Sequence, residues 1–161
     1  MSLVPTISFS PLPSSAGAIT FYTLSSDGYY LYLTDDSSHL SVIHLPSQQV
    51  EQYIQLAEEP LEVRDILDFE QYVWIATVAN GLYRVDKESG RVEHFSYDQT
   101  DRKHQLSHTD VFGILPISHR QLLAITWNGY TLLCAEDDRF DHFTTHIYNN
   151  VSLAWQDIDV R

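Results

Sequence analysis

Residues 72–95 read YVWIATVANGLYRVDKESGRVEHF, and the reading of this stretch decides the fold. Tyr72 to Thr77 is rich in aromatic and β-branched side chains, which suit a pleated, half-buried surface. Asn80-Gly81 then marks a hairpin turn, because both residues accept the positive φ that a tight turn demands. Leu82 to Asp86 is the next strand, Glu88-Ser89-Gly90 turns the chain again, and Arg91 to Tyr97 alternates as an outer strand. Upstream, Val63 to Phe69 supplies a first strand, set off by a Glu70-Gln71 turn. Together these segments make four short antiparallel strands.

The same unit recurs on both sides. Gly28 to Tyr53 lies over Glu70 to Phe95 with a shift of 42 residues, placing Tyr30-Leu31-Tyr32-Leu33 on Tyr72-Val73-Trp74-Ile75 and Leu40 on Leu82. A further shift of 48 brings Val63 to Val111, Ile66-Leu67 to Ile114-Leu115, Asn80-Gly81 to Asn128-Gly129 and Arg91–Phe95 to Arg139–Phe143. Keeping Trp74–Thr77 over Leu123–Thr126 requires one extra residue before Leu123 and one fewer before Asn128. Four antiparallel strands in a repeat of about 40–50 residues is the pattern of a propeller blade. The expectation is an all-β chain of antiparallel β-propeller-type blades, a partial propeller of three repeats. These span residues 19–57, 61–98 and 109–146, within 19–150, after an extended segment at 1–18. Residues 151–161 are a C-terminal strand that begins another blade, or a strap that pairs with the N-terminal segment. Residues 50–59 leave a turn or two of helix open as an alternative, although the repeat assigns their first half to a strand.

Closed propellers have roughly four to eight blades. Three leave unpaired edges and uncovered faces, so self-association or adjoining blades of a longer chain are expected.

Charge narrows the partners. Twenty-two acidic against nine basic side chains give a formal charge of −13. Such a surface repels phosphate backbones and anionic lipid, which argues against nucleic-acid and membrane-surface binding. The longest apolar run, residues 111–117, is broken by Gly113 and Pro116 and is far too short to span a bilayer. Residues 1–15 have neither a basic region nor a continuous apolar stretch, unlike a secretory leader. The single cysteine, Cys134, excludes an intramolecular disulfide and leaves the compartment open.

Val73-Trp74-Ile75-Ala76-Thr77-Val78-Ala79-Asn80-Gly81-Leu82-Tyr83-Arg84-Val85-Asp86 resembles the two-component regulator propeller repeat, whose consensus runs L-W-I-G-T-x-x-G-G-L-x-R-Y-D. Ala76 and Asn80 stand for two of its glycines, while Trp74, Thr77, Gly81, Leu82 and Asp86 match. Leu106-Ser107-His108-Thr109-Asp110-Val111 is similar to the stretch by which that family enters its next blade. The first repeat departs at Asp35-Asp36-Ser37-Ser38 and the third at Leu123. The resemblance implies the periplasmic sensor region of a bacterial hybrid two-component regulator, linked to a histidine kinase and responding to carbohydrate or another small molecule. It implies no catalysis and no cofactor.

Alternating strand direction places the turns between second and third strands on one end of every blade, together with the links between blades. That end holds the candidate ligand-binding residues Asp35, Asp36, Asn80, Trp127 and Asn128. An exposed indole stacks on a sugar face, and a neighbouring amide both donates and accepts hydrogen bonds. The competing reading packs Trp127 under its own turn against the adjacent blade. Trp74, in mid-strand, reads as core.

Metal and catalytic signals are weak. His104 and His108, near Asp101 and Asp110, are four apart, as are His142 and His146, but neither pair sits in a helical pattern. Asp35-Asp36 and Asp137-Asp138 sit in turns, where aspartate serves local hydrogen bonds. Cys134 reads as a buried, inert thiol. No nucleophile elbow, zinc-protease motif or phosphate loop occurs. Residues 86–91 do resemble the Asp-x-x-Thr-Gly-Lys turn of quinoprotein blades, which leaves an enzyme as the third reading after a sensor and a protein–protein scaffold.

Overall fold

The computed structural model describes residues 11–97 and 106–134, and the backbone of 139–144. Twelve strands occur among these residues, with no helix, in three four-stranded antiparallel sheets. They belong to two compact units, residues 1–61 and 62–161.

The first unit carries β1 (Ile19–Leu24), β2 (Tyr30–Asp35), β3 (His39–His44) and β4 (Gln49–Gln55), hydrogen-bonded in chain order. Its buried residues include Tyr32, Leu40 and Ile43. The segment for which a helical turn was an alternative is strand β4, paired along β3 from His39–Gln55 to His44–Gln49.

The second unit carries two sheets. One is β5 (Glu62–Phe69), β6 (Tyr72–Val78), β7 (Gly81–Asp86) and β8 (Val92–Phe95). The other is β9 (Val111–Ser118), β10 (Gln121–Thr126), β11 (Gly129–Cys134) and β12 (Arg139–Thr144). The outer strand β8 is shorter than the alternation of residues 91–97 implies, and Gly81 is the first residue of β7 rather than part of the turn.

Side chains of a strand alternate between the two faces of its sheet. On β6 and β7, Trp74, Ala76 and Leu82 share one face, and Val73, Ile75 and Tyr83 the other; all six are buried. The first set, with Phe69, forms a continuous core with Leu106, Val111, Ile114, Leu122, Ala124 and Leu133. The second and third sheets are therefore packed face to face. Their innermost strands, β5 and β9, are clipped together where Ile114 N donates to Asp65 Oδ2 at 2.8 Å.

Each sheet carries a β-bulge near the start of its first strand. Register skips Thr20 in β1, Arg64 in β5 and Phe112 in β9. A bulge leaves one residue unpaired and re-aims its side chain. A second bulge in β9 skips Ile117 between the partners of Gln121 and Leu122. This is the extra residue that the repeat alignment requires before Leu123. The residue missing before Asn128 is a shortened turn: Val78-Ala79-Asn80 separates Thr77 from Gly81, whereas Trp127-Asn128 alone separates Thr126 from Gly129.

Candidate functional site

At one end of the second unit, two turns and one link converge. The turns are residues 79–80, between β6 and β7, and 127–128, between β10 and β11; the link is 106–110, leading into β9. Asp110 holds them together. Its Oδ1 accepts the Ala79 N–H at 2.6 Å and its carbonyl oxygen accepts the Trp127 N–H at 3.1 Å. The neighbouring Thr109 carbonyl accepts the Gly81 N–H at 2.7 Å. His108 Nδ1 accepts the Asp110 N–H at 2.9 Å, which leaves its proton on Nε2 when the ring is neutral.

Below the link, Leu106 is fully buried in the shared core and Ser107 is fixed by hydroxyls. Ser107 N donates to Thr131 Oγ1 at 2.9 Å, and Ser107 Oγ lies 2.7 Å from Thr126 Oγ1. Thr126 Oγ1 also donates to the Gly129 carbonyl at 3.1 Å, as Thr77 Oγ1 does to Gly81 at 2.8 Å. Buried polar groups satisfied in this way keep one arrangement, so the turns stand on a rigid base.

Gly81 adopts φ 78°, and a Cβ there would run into the Phe95 carbonyl oxygen. Only glycine allows β7 to start so close to β8. Ala79 adopts φ 64° without that freedom, and its N–H is the one held by Asp110. Beside the turn, His94 Nε2 donates to the Asn80 carbonyl at 2.5 Å and its ring stacks on Tyr83 at 4.3 Å. Burial pushes the Tyr83 hydroxyl pKa above its ordinary value.

Trp127 projects from this platform with 72% of its surface exposed, so the reading in which it packs under its turn does not describe it. Phe112 lies beside it, 41% exposed, with ring centroids 6.0 Å apart at 52°. Asn128 is exposed and Asn80 half-buried, its Nδ2 donating to the Val78 carbonyl at 3.3 Å. Asn80, Trp127 and Asn128 are thus gathered on one end of the second unit. Phe112 escapes a sequence reading because it sits within a strand rather than in a turn, yet there was a signal. Val111 and Ile114 are three apart, as are Val63 and Ile66, whereas an unbroken strand buries every second residue.

Asp35 and Asp36 stand on the corresponding turn of the first unit, and backbone occupies them. Asp35 is buried; its Oδ1 accepts the Ser37 and His39 N–H groups at 3.0 and 2.9 Å, and its Oδ2 accepts Gly17 N at 3.2 Å and Tyr53 Oη at 3.0 Å. Asp36 Oδ1 accepts the Ala18 N–H at 2.9 Å. The pair fastens the incoming chain to the turn. Burial first, then the Asp35 carboxylate, pushes the Tyr53 pKa up.

The pairs His104–His108 and His142–His146, Asp137-Asp138 and the segment 151–161 lie wholly or partly outside the described residues. Among the described residues no three His, Cys, Asp or Glu side chains converge as a metal site would require. Cys134 ends β11 half-buried rather than buried.

No family model matches the chain, and no curated protein matches its sequence. Solved structures do match. The β-propeller domain of Cps50 (Swd1) from Myceliophteria thermophila superposes with a TM-score of 0.58 at 14% identity, over 81% of this chain and 39% of that one. These sheets are propeller blades. The extracellular domain of BT3049 from B. thetaiotaomicron, assigned as a hybrid two component system, gives 0.61 at 17% identity, over 81% of this chain and 19% of that one. Hydrazine synthase from Kuenenia stuttgartiensis gives 0.57 at 15%, over 75% and 35%. The chain therefore spans well under half the length of these structures, and at such identities the likeness concerns the fold alone. Among the described residues, no helix is long and apolar enough to cross a membrane.

Proposed function

We propose that this chain is part of a non-catalytic, ligand-sensing β-propeller on the periplasmic side of a bacterial two-component sensor. Its ligand is a carbohydrate or another small molecule. The observation that carries the reading is the exposed Trp127–Phe112 pair, fixed by Asp110 and flanked by Asn128. Aromatic rings displayed on rigid turns suit stacking on the apolar face of a sugar, and an amide at their edge suits its hydroxyls. The Asp110 carboxylate is engaged by backbone, so it serves here as a clasp rather than as an acid or base. The likeness of fold to the extracellular domain of BT3049 supports the sensor setting, as does the motif at residues 73–86.

Tryptophan emission tests this reading, because Trp127 is exposed while Trp74 is buried. Titration with a panel of neutral and acidic oligosaccharides should quench or shift the emission. Phe112→Ala, read by the same emission, and Trp127→Ala, read by calorimetry because it removes the reporting fluorophore, should each weaken binding about tenfold, as loss of roughly 1.4 kcal/mol of ring contact implies. A panel with no binder, or binding indifferent to both substitutions, would sink the proposal.

A further inference from the structure

We infer that this chain associates head to tail with a second copy, the open face of its third sheet meeting the β1 side of the other copy's first unit. The packing of the second sheet on the third supplies the pattern. There one sheet offers Trp74, Ala76 and Leu82, and the other answers with Val111, Ile114, Leu122, Ala124 and Leu133. The described residues carry one further face of each kind, and each is open.

One open face is on the third sheet. By register, Leu115, Leu123, Ile125, Tyr130 and Leu132 occupy the places that Leu67, Trp74, Ala76, Leu82 and Arg84 hold in the preceding sheet. Trp74, Ala76 and Leu82 are core, yet Leu115 is 48% and Ile125 38% exposed. The other open face is on the first unit. The bulge in β1 puts Ile19 just before the skipped residue and Tyr22 two places after it, where β9 has Val111 and Ile114. Val111 and Ile114 are buried in the core, as are Val63 and Ile66 at the same places in β5. Ile19, by contrast, is 54% and Tyr22 70% exposed.

Apolar sheet faces of this kind need a cover. Each open face has the form of the mate that the other lacks, and both stand open on the same chain, so a second copy supplies the cover. Charge favours the same choice. A formal charge of −13 makes copies repel one another in general. Strand β1, however, has no charged residue, and neither do the five positions of the third sheet. Two acidic copies meet there without a like-charge clash. Because the two faces differ, the contact is heterologous and either closes into a ring or extends as a filament. The inference stands independently of what Trp127 binds.

Sedimentation of the full chain tests it. At about 100 μM the mean mass should be about double that of one copy or more, and should fall towards it on dilution. Tyr22→Glu and Leu115→Glu should each weaken association about tenfold or more, since either buries a charge without a partner. Both side chains are exposed, so the far-UV circular dichroism spectrum should not change; Ile125→Glu replaces Leu115→Glu if it does. Mixing the two variants is the decisive arm. Each keeps the face that the other has lost, so together they should form one-to-one pairs. An unsubstituted chain that stays a monomer at about 100 μM would overturn the inference. So would association that survives both substitutions. Folded variants that stay apart when mixed would overturn it too, because that is the behaviour of a contact between identical faces.

Discussion

Arg84→Ala offers the sharpest test of how the second blade is held. The Arg84 side chain is almost fully buried on β7, with its guanidinium carbon 4.5 Å from the Tyr72 ring centroid, 5.3 Å from Trp74 and 5.1 Å from Phe95. Its Nε donates to Glu93 Oε2 at 2.7 Å, and its Nη2 lies 2.5 Å from the same oxygen. Breaking a buried pair from one side costs about 3–5 kcal/mol. Here Glu93 is 27% exposed and keeps Arg91 at 2.9 Å, which brings that contribution to about 2 kcal/mol. Desolvated cation–π contact adds roughly 1–2 kcal/mol, and the lost stem about 1 kcal/mol or more. The sum is about 4 kcal/mol. Arg84→Met keeps the stem volume and should lose about 3 kcal/mol, about 1 kcal/mol less than alanine. Urea unfolding followed by far-UV circular dichroism and by the buried Trp74 is the assay. With a slope of about 2 kcal/mol/M, the alanine midpoint falls by about 2 M. A fall under about 0.5 M at unchanged slope, or equal losses for alanine and methionine, would refute the reasoning.

Gly81→Ala should lower stability by about 2–3 kcal/mol, because its φ of 78° and the Phe95 carbonyl both oppose a Cβ; the same urea titration checks it, with Gly28→Ala, which meets nothing within 4 Å, as the milder control. Acid should expose Asp86. The Ser89 N–H and hydroxyl hold its carboxyl below the ordinary aspartate pKa, so its contribution is full above about pH 4 and is lost as pH falls through the lowered folded-state value. Asp86→Asn should flatten that acid limb of the stability–pH curve; an unchanged limb would show that the Asp86–Ser89 turn does not carry it.

The candidate site was legible in part. Trp127 and Asn128 stood out because a turn between second and third strands must fall at the same end of its blade as the links between blades once the strands alternate. Asp35 and Asp36 met the same rule, yet their oxygens are taken by Gly17, Ala18 and Tyr53, residues separated from them by about the length of two strands. Phe112 was missed because a bulge, not the alternation, sets its direction.

Sequence alone determined the strands, the three repeats and even the one-residue shifts between them. These follow from local chemistry: alternation along a pleated chain, positive φ at glycine, and the recurrence of both. Tertiary structure decided which polar groups of the turns are taken up by backbone and which are left exposed. That choice depends on which backbone N–H groups arrive from distant segments, as when Asp110 meets Ala79 and Asp65 meets Ile114. Such partners are 31 and 49 residues apart, beyond the reach of any local pattern. The packing of one sheet on the next brings them together.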